Sequence, residues 1–280
     1  MNIGIVGLGL IGGCLGLDLR AQGHKVLGVS RRESTCKRAI ALGVVDTASA
    51  ELAILKATEL VFICTPIATI GSTVEQLIPH LDPATVLTDV GSVKAPVVEA
   101  IASLWVNFVG GHPMAGKAES GIEVAQLNLF AHKPYVLTPI ATTPTVAVEI
   151  VEKIARSLQS NIYYCSPDEH DRAVSWISHL PVMVSSSLIA ACMSETNSEV
   201  LKLAQQLASS GFRDTSRVGG GNPELGVMMA RYNRQELLRS LQQYRQQIEE
   251  ITNLIEQENW PRLEQHFQST HSARAKFVPD

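Results

Sequence analysis

Four short segments gather residues able to do acid–base chemistry or hold an anion. They are Thr88-Asp89-Val90-Gly91-Ser92-Val93-Lys94, Gly110-Gly111-His112-Pro113-Met114-Ala115-Gly116, Ile177-Ser178-His179-Leu180-Pro181 and Gly211-Phe212-Arg213-Asp214-Thr215-Ser216-Arg217. Histidine titrates nearest to neutrality, so His112, set between glycines and a proline after an apolar run, has the make-up of a general base. A structural hydrogen-bonding role suits the same residue. Ser92 is placed to orient that imidazole or touch a substrate hydroxyl, and equally to cap a helix from Val93 onward. His179 is either a site residue or a core residue on the face of Trp176 and Met183. Arg213 and Arg217 are four apart, so one can pair with Asp214 while the other holds a carboxylate. The five cysteines form no CxxC pair, which speaks against a metal site or a disulfide framework and for a reducing, cytoplasmic setting.

A second kind of chemistry is written at the N-terminus. Gly7-Leu8-Gly9-Leu10-Ile11-Gly12 fits GxGxxG, follows an apolar strand and opens a helix that leads to a second strand. That is the context in which the pattern binds a dinucleotide: Gly7 makes the turn, Gly9 admits the pyrophosphate, and Gly12 lets helix and strand pack closely. An NAD site would place Asp or Glu about 20 residues on, at the end of the second strand, for the ribose 2′-hydroxyl. Here the strand ends in Val29-Ser30-Arg31-Arg32. Two guanidiniums suit a 2′-phosphate, with Ser30 and Thr35 as further donors, so NADP is expected over NAD. The rival reading is that Arg31 and Arg32 are solvated charges, one of them neutralised by Glu33.

The elements that must position these residues follow from the patterning. Strands are expected at Asn2–Val6, Lys25–Ser30, Leu60–Cys64, Thr85–Val90, Phe108–Gly110, Tyr135–Leu137 and Ile162–Cys165, with helices at Leu10–Gln22, Thr35–Leu42, Ile67–His80, Val93–Leu104 and Thr145–Leu158. This alternation describes a parallel sheet wrapped by helices. After Ser166-Pro167 only helical periodicity remains, over Asp168–Met193, Glu199–Ser209 and Pro223–Gln257. The expected architecture is an α/β Rossmann-type dinucleotide-binding domain over residues 1–165 and an all-α domain over 166–280 for substrate binding and dimerisation. With 23 Lys+Arg against 27 Asp+Glu, net charge −4, nothing marks a nucleic-acid or membrane partner. The apolar start Ile3–Leu19 lacks a basic flank and carries six glycines and Asp18, so neither a signal peptide nor an anchor is expected there.

Taken together, GLGLIGG, CTPI (64–67), TDVGSVK, GGHPMAG, SHLP, and SGFRDTSR followed by GGGNPEL resemble the prephenate/arogenate dehydrogenases of tyrosine biosynthesis, over roughly residues 4–227 and most of all the cyanobacterial arogenate type. The resemblance implies oxidative decarboxylation of a cyclohexadienol, with His112 as base to the 4-hydroxyl and Ser92 assisting. It places Arg217, His179 and Arg213 at the substrate, and Cys64, Thr65 and Pro66 with the glycine turn at the cofactor. It also implies a homodimer through the C-terminal helices. Arogenate, giving tyrosine and CO2, is expected over prephenate, giving 4-hydroxyphenylpyruvate, and Glu119 is a candidate for recognising the ammonium. Neither a fused ACT domain nor a chorismate mutase is expected. A β-hydroxyacid dehydrogenase, the rival enzyme class, would need a GxxGxGxxxK lysine; Lys202 has no such setting.

Overall fold

The structure, a computed structural model, describes residues 1–117 and 119–278. Ala118, Pro279 and Asp280 lie outside them, the last two at the end of the expected 166–280 domain. Strands β1 (Asn2–Val6), β2 (Lys25–Val29), β3 (Thr47–Ser49), β4 (Leu60–Ile63), β5 (Val86–Asp89), β6 (Phe108–Pro113), β7 (Pro134–Thr138) and β8 (Asn161–Tyr164) form one sheet in the order β3-β2-β1-β4-β5-β6-β7-β8. All pairs are parallel except β6–β7. Helices α1 (Leu10–Ala21), α2 (Glu33–Ala41), α3 (Ile67–Leu77), α4 (Ala95–Ala102) and α5 (Thr145–Ser157) connect strands along the chain.

The strands read as unbroken apolar runs because both faces are covered. Ile3, Ile5 and Phe62 pack with Leu15 and Leu19 of α1 and Val151 and Ile154 of α5. The alternate residues Val6, Val61 and Ile63 pack with Ile70 and Val74 of α3 and Val97 and Ile101 of α4. Each such side chain contributes about 1.5–3 kcal/mol on leaving water.

Two features depart from the sequence expectation. β3 is three residues long, too short to show a period of two. β6 does not stop at Gly110 but runs on to Pro113, because β7 turns antiparallel and pairs Gly110 with Thr138 and His112 with Val136. His112 therefore stands on a strand rather than in the loop behind one.

Beyond the sheet come α6 (Pro167–Val174), a π-helical turn (Ser175–His179), α7 (Leu180–Met193), α8 (Ser198–Leu207), α9 (Ser210–Ser216), α10 (Pro223–Tyr232), α11 (Arg234–Glu256) and α12 (Trp260–Arg274). The start of α6 is fixed by a capping box: Glu169 N–H donates to Ser166 Oγ, and Ser166 N–H donates to the Glu169 carboxylate. The single helices expected over Asp168–Met193 and Pro223–Gln257 are each interrupted, the first by the π turn and the second at Asn233. α12 was not expected. Residues Met1–Arg234 form one compact unit, so α6 to α10 belong with the sheet, and Gln235–Asp280 form a second made of α11 and α12. Pro167–Met193 is long and apolar enough by composition to cross a bilayer. Its His170, Asp171 and His179 are buried and engaged by polar groups of the same unit, while α7 buries Leu180 and Ser185 and ends exposed.

Candidate active site

The carboxyl ends of β1, β4, β5 and β6 share one edge of the sheet, where open α/β sheets hold their ligands. The glycine turn, Cys64-Thr65-Pro66, Ser92 and His112 all sit on that edge. At the turn, Gly7 has φ +103°, and a Cβ there would meet the Cys64 carbonyl oxygen at 2.6 Å. At Gly9 a Cβ would meet nothing within 4 Å, so open space faces the start of α1. A Cβ on Gly12 would collide with the Gly7 carbonyl. Gly9 caps α1 without any side-chain hydrogen bond, and the first turn holds no acidic residue. The first N–H groups of a helix have no partner within it, so an uncapped, half-exposed α1 start suits a pyrophosphate. These residues fit a dinucleotide.

At the end of β2, Ser30 and Thr35 are half-buried and Arg31 and Arg32 are exposed. The Arg32 N–H lies 3.5 Å from its acceptor Ser30 Oγ, and Arg32 is the N-cap of α2. Among the described residues Glu33 forms no ion pair with either arginine. Thr65 Oγ1 is buried with no partner among the described residues. Burial pushes the neighbouring Cys64 thiol up, so it brings no charge to this edge.

Beneath Ser92 lies a buried ion pair. Lys94 Nζ donates to Asp89 and, at 2.7 Å, to the Gly111 carbonyl. Asp89 also accepts the N–H groups of Gly91 at 2.8 Å and Gly111 at 3.1 Å. Burial pulls the Lys94 pKa down, and the charges of Asp89 and Asp171 oppose it. The pair locks the end of β5 to the residue before His112. Gly111 must be glycine here, since a Cβ would meet the Asp89 carbonyl oxygen at 2.7 Å.

His112 is buried. Its Nδ1 lies 2.8 Å from His170 Nε2, and His170 Nδ1 lies 2.7 Å from Asp171 Oδ1. The two rings meet edge to face, 5.0 Å apart. Burial first, then the neighbouring His170, Lys94 and His179, hold the His112 pKa well below the usual 6.5. Asp171 reaches further: the Lys94 and Ala95 N–H groups donate to its two oxygens at 2.7 and 2.8 Å. It thereby caps α4, which starts at Ala95, and the cap expected from Ser92 for a helix at Val93 does not form. Ser92 is half-buried in the β5–α4 loop.

His179 is fully buried. Asn233 Nδ2 donates to the Asp171 carbonyl at 2.8 Å and lies 3.1 Å from His179 Nδ1. His179 Nε2 has no partner among the described residues, and burial lowers its pKa to about 4. Both readings of this residue thus hold together: it is packed, yet keeps one ring nitrogen unspent. On α9, Arg213 pairs with Asp214 at 3.1 Å, both largely exposed. Arg217 is exposed and has no carboxylate partner among the described residues. Glu119 is exposed as well. Sequence reasoning missed His170, Asp171 and Asn233. The adjacent His-Asp behind a Ser-Pro-x-Glu capping box was the available signal.

Comparison with known proteins gives one consistent answer. Residues 15–164 match the model of the prephenate dehydrogenase nucleotide-binding domain, and residues 166–269 that of the prephenate dehydrogenase dimerization domain. The chain is 31% identical to a prephenate dehydrogenase of Bacillus subtilis over 96% of its own length and 74% of that protein. It is 27% identical to a cyclohexadienyl dehydrogenase of Zymomonas mobilis over 100% and 97%. Among solved structures it resembles Synechocystis arogenate dehydrogenase, with TM-score 0.91, 52% identity and coverage of 99% and 100%. It also resembles the prephenate dehydrogenase of Aquifex aeolicus in complex with hydroxyphenyl propionate and NAD+, with TM-score 0.93, 26% identity and coverage of 99% and 98%.

Proposed function

We propose, from the premise that this chain belongs to the prephenate dehydrogenase family, that it is a cytoplasmic, homodimeric, NADP-dependent arogenate dehydrogenase converting L-arogenate to L-tyrosine and CO2. The observation that carries the chemistry is His112, a buried imidazole on the ligand-binding edge of the sheet with its pKa held below 6.5. When bound, the nicotinamide accepts hydride from ring C4 of the substrate. His112 takes the proton of the 4-hydroxyl as that hydride departs, and Ser92 assists from the neighbouring loop. The C1 carboxylate leaves as CO2, and the aromatic ring that results supplies the driving force. The protein's task is to position, deprotonate and exclude water. His179, with its unspent nitrogen, lies at the substrate, and Arg217, helped by Arg213, binds a carboxylate.

The cofactor preference rests on the end of β2, where two exposed arginines stand in place of an acidic residue. The preference for arogenate rests on the likeness to the Synechocystis enzyme and on Glu119, a carboxylate for the ammonium. A site that hydrogen-bonds one side chain can reject the other strongly. Dimerisation is supported by the dimerization-domain match and by exposed Val200, Leu203 and Leu207 on α8. The unpaired cysteines accord with a reducing compartment.

The test is a spectrophotometric assay of prephenate and arogenate, each with NAD and NADP. Arogenate with NADP should be the productive pair. Turnover of prephenate with NAD alone would overturn both specificities and leave the family intact. Arg31→Ala should weaken NADP far more than NAD, and equal weakening would remove the 2′-phosphate role.

A further inference from the structure

His112 has two ring nitrogens, and only one of them can act as the base. Which one depends on a chain of hydrogen bonds that ends at a carboxylate. Asp171 already accepts two backbone N–H groups at the start of α4, where the helix dipole favours an anion. A carboxylate held in this way can only accept, so the proton between it and His170 belongs to His170 Nδ1. His170 is itself buried, and Lys94, paired with Asp89 close by, already supplies the positive charge of this interior. With its single proton on Nδ1, His170 accepts at Nε2, and the donor facing it at 2.8 Å is His112 Nδ1–H. His112 Nε2 is then left with its lone pair.

We propose that His170 and Asp171 are positioning residues that fix His112 as the Nδ1–H tautomer and so make Nε2 the atom that takes the substrate proton. In the step, the substrate O–H bond breaks, its electron pair becomes the carbonyl bond as hydride passes from C4 to the bound cofactor, and the new bond is Nε2–H. When CO2 leaves, the C1–carboxylate pair enters the ring, the carbonyl pair returns to oxygen, and Nε2 gives the proton back to it. His112 Nδ1–H stays bonded to His170 throughout, and the Asp171 charge at the far end of the chain stabilises the imidazolium. The logic is that of an Asp–His pair orienting a base, with one imidazole interposed. Asn233 extends it to the second histidine. Its amide donates to the Asp171 carbonyl and faces His179 Nδ1, which places the proton of a neutral His179 on Nε2. A hydroxyl between the two rings would meet an acceptor on His112 and a donor on His179.

This inference rests on the reading of His112 as the base, and its test separates the two. Nitrogen NMR of protein labelled with 15N-histidine reads the tautomer directly, with no turnover needed; the chain has eight histidines, and His112 is identified by loss of its signals in His112→Gln. Wild-type protein should carry the His112 proton on Nδ1. His170→Leu should lower kcat by roughly 10²-fold or more, the size of general-base assistance, while Kd for NADP stays within about twofold. His170→Gln, whose amide oxygen can still accept from His112 Nδ1–H, should recover a substantial part of that loss. A wild-type His112 protonated at Nε2, or a His170→Leu enzyme with unchanged kcat, overturns the inference alone. An unchanged kcat in His112→Asn removes the base reading beneath it.

Discussion

The buried charges beside His112 are held by partners from within the chain, whereas Arg213 and Arg217 stand in solvent. Asp89, Lys94, His112, His170 and Asp171 are all buried, and each has a partner from another segment of the same unit. From Ala190 to Thr215 every residue except Leu201 is exposed, and Arg213 pairs with its neighbour Asp214. The difference follows from what solvent can do for each group. A buried charge or imidazole without a partner costs several kcal/mol, so that half of the site must be complete within the folded unit. An exposed guanidinium loses almost nothing by staying hydrated until a carboxylate arrives. The proposed base is thus built into the protein's stability, and the proposed carboxylate site is attached at its surface.

The contrast can be broken at its strongest point first. Lys94→Met should destabilise the protein by about 3–5 kcal/mol, because Asp89 would remain charged, buried and without its cation; a shift in urea midpoint at constant slope measures it. If the loss is under about 1 kcal/mol, the pair is not part of the framework. His112→Asn comes next, with kcat falling at least roughly 100-fold and NADP binding retained. The pH profile sharpens this prediction. His112 is the base only when unprotonated, and its pKa is lowered, so kcat/KM should stay flat from pH 8 to 6.5 and fall only below that. A midpoint above 6.5 would contradict the buried environment. On the exposed side, Leu203→Glu with Leu207→Glu should convert the proposed dimer to monomer in light scattering while leaving the protomer's circular dichroism unchanged. Arg213→Ala should be the smallest effect, within about 0.5 kcal/mol of wild-type stability, since exposed ion pairs contribute little.

Local requirements made part of this legible from the chain. The Gly7–Gly12 turn needs φ > 0, open space and close packing at fixed spacing, and only glycine meets all three, so composition and geometry coincide. Strand patterning succeeded wherever both faces of the sheet are covered, and failed at β3, which is too short to carry a period. His112 could be picked out as a residue, but its partners could not. His170 is 58 residues away, and Asp171 makes its two contacts to α4 across 76 and 77. Ser92 stood where a helix cap would be sought, yet the cap arrived from a distant carboxylate that no local rule selects. α12 was missed although Trp260, Leu263 and Phe267 stand at i, i+3 and i+7, because they are its three large apolar residues in a polar stretch of fifteen.

One detail of the backbone sets a rule for how this protein can vary. A π turn is in effect one residue added to an α-helix, and each α-helical residue advances the chain by about 100°. The turn at Ser175–His179 takes up that extra residue locally, so Asp171, which fastens α4, and α7 keep the phase of one continuous helix. Substitutions within the turn alter side chains one at a time. Deleting a single residue there would restore a regular helix and leave the rest of α7 in phase, whereas the same deletion within the regular part of α7 would swing everything after it by about a quarter turn. Chain length is thus freer at this turn than in the regular helix on either side of it.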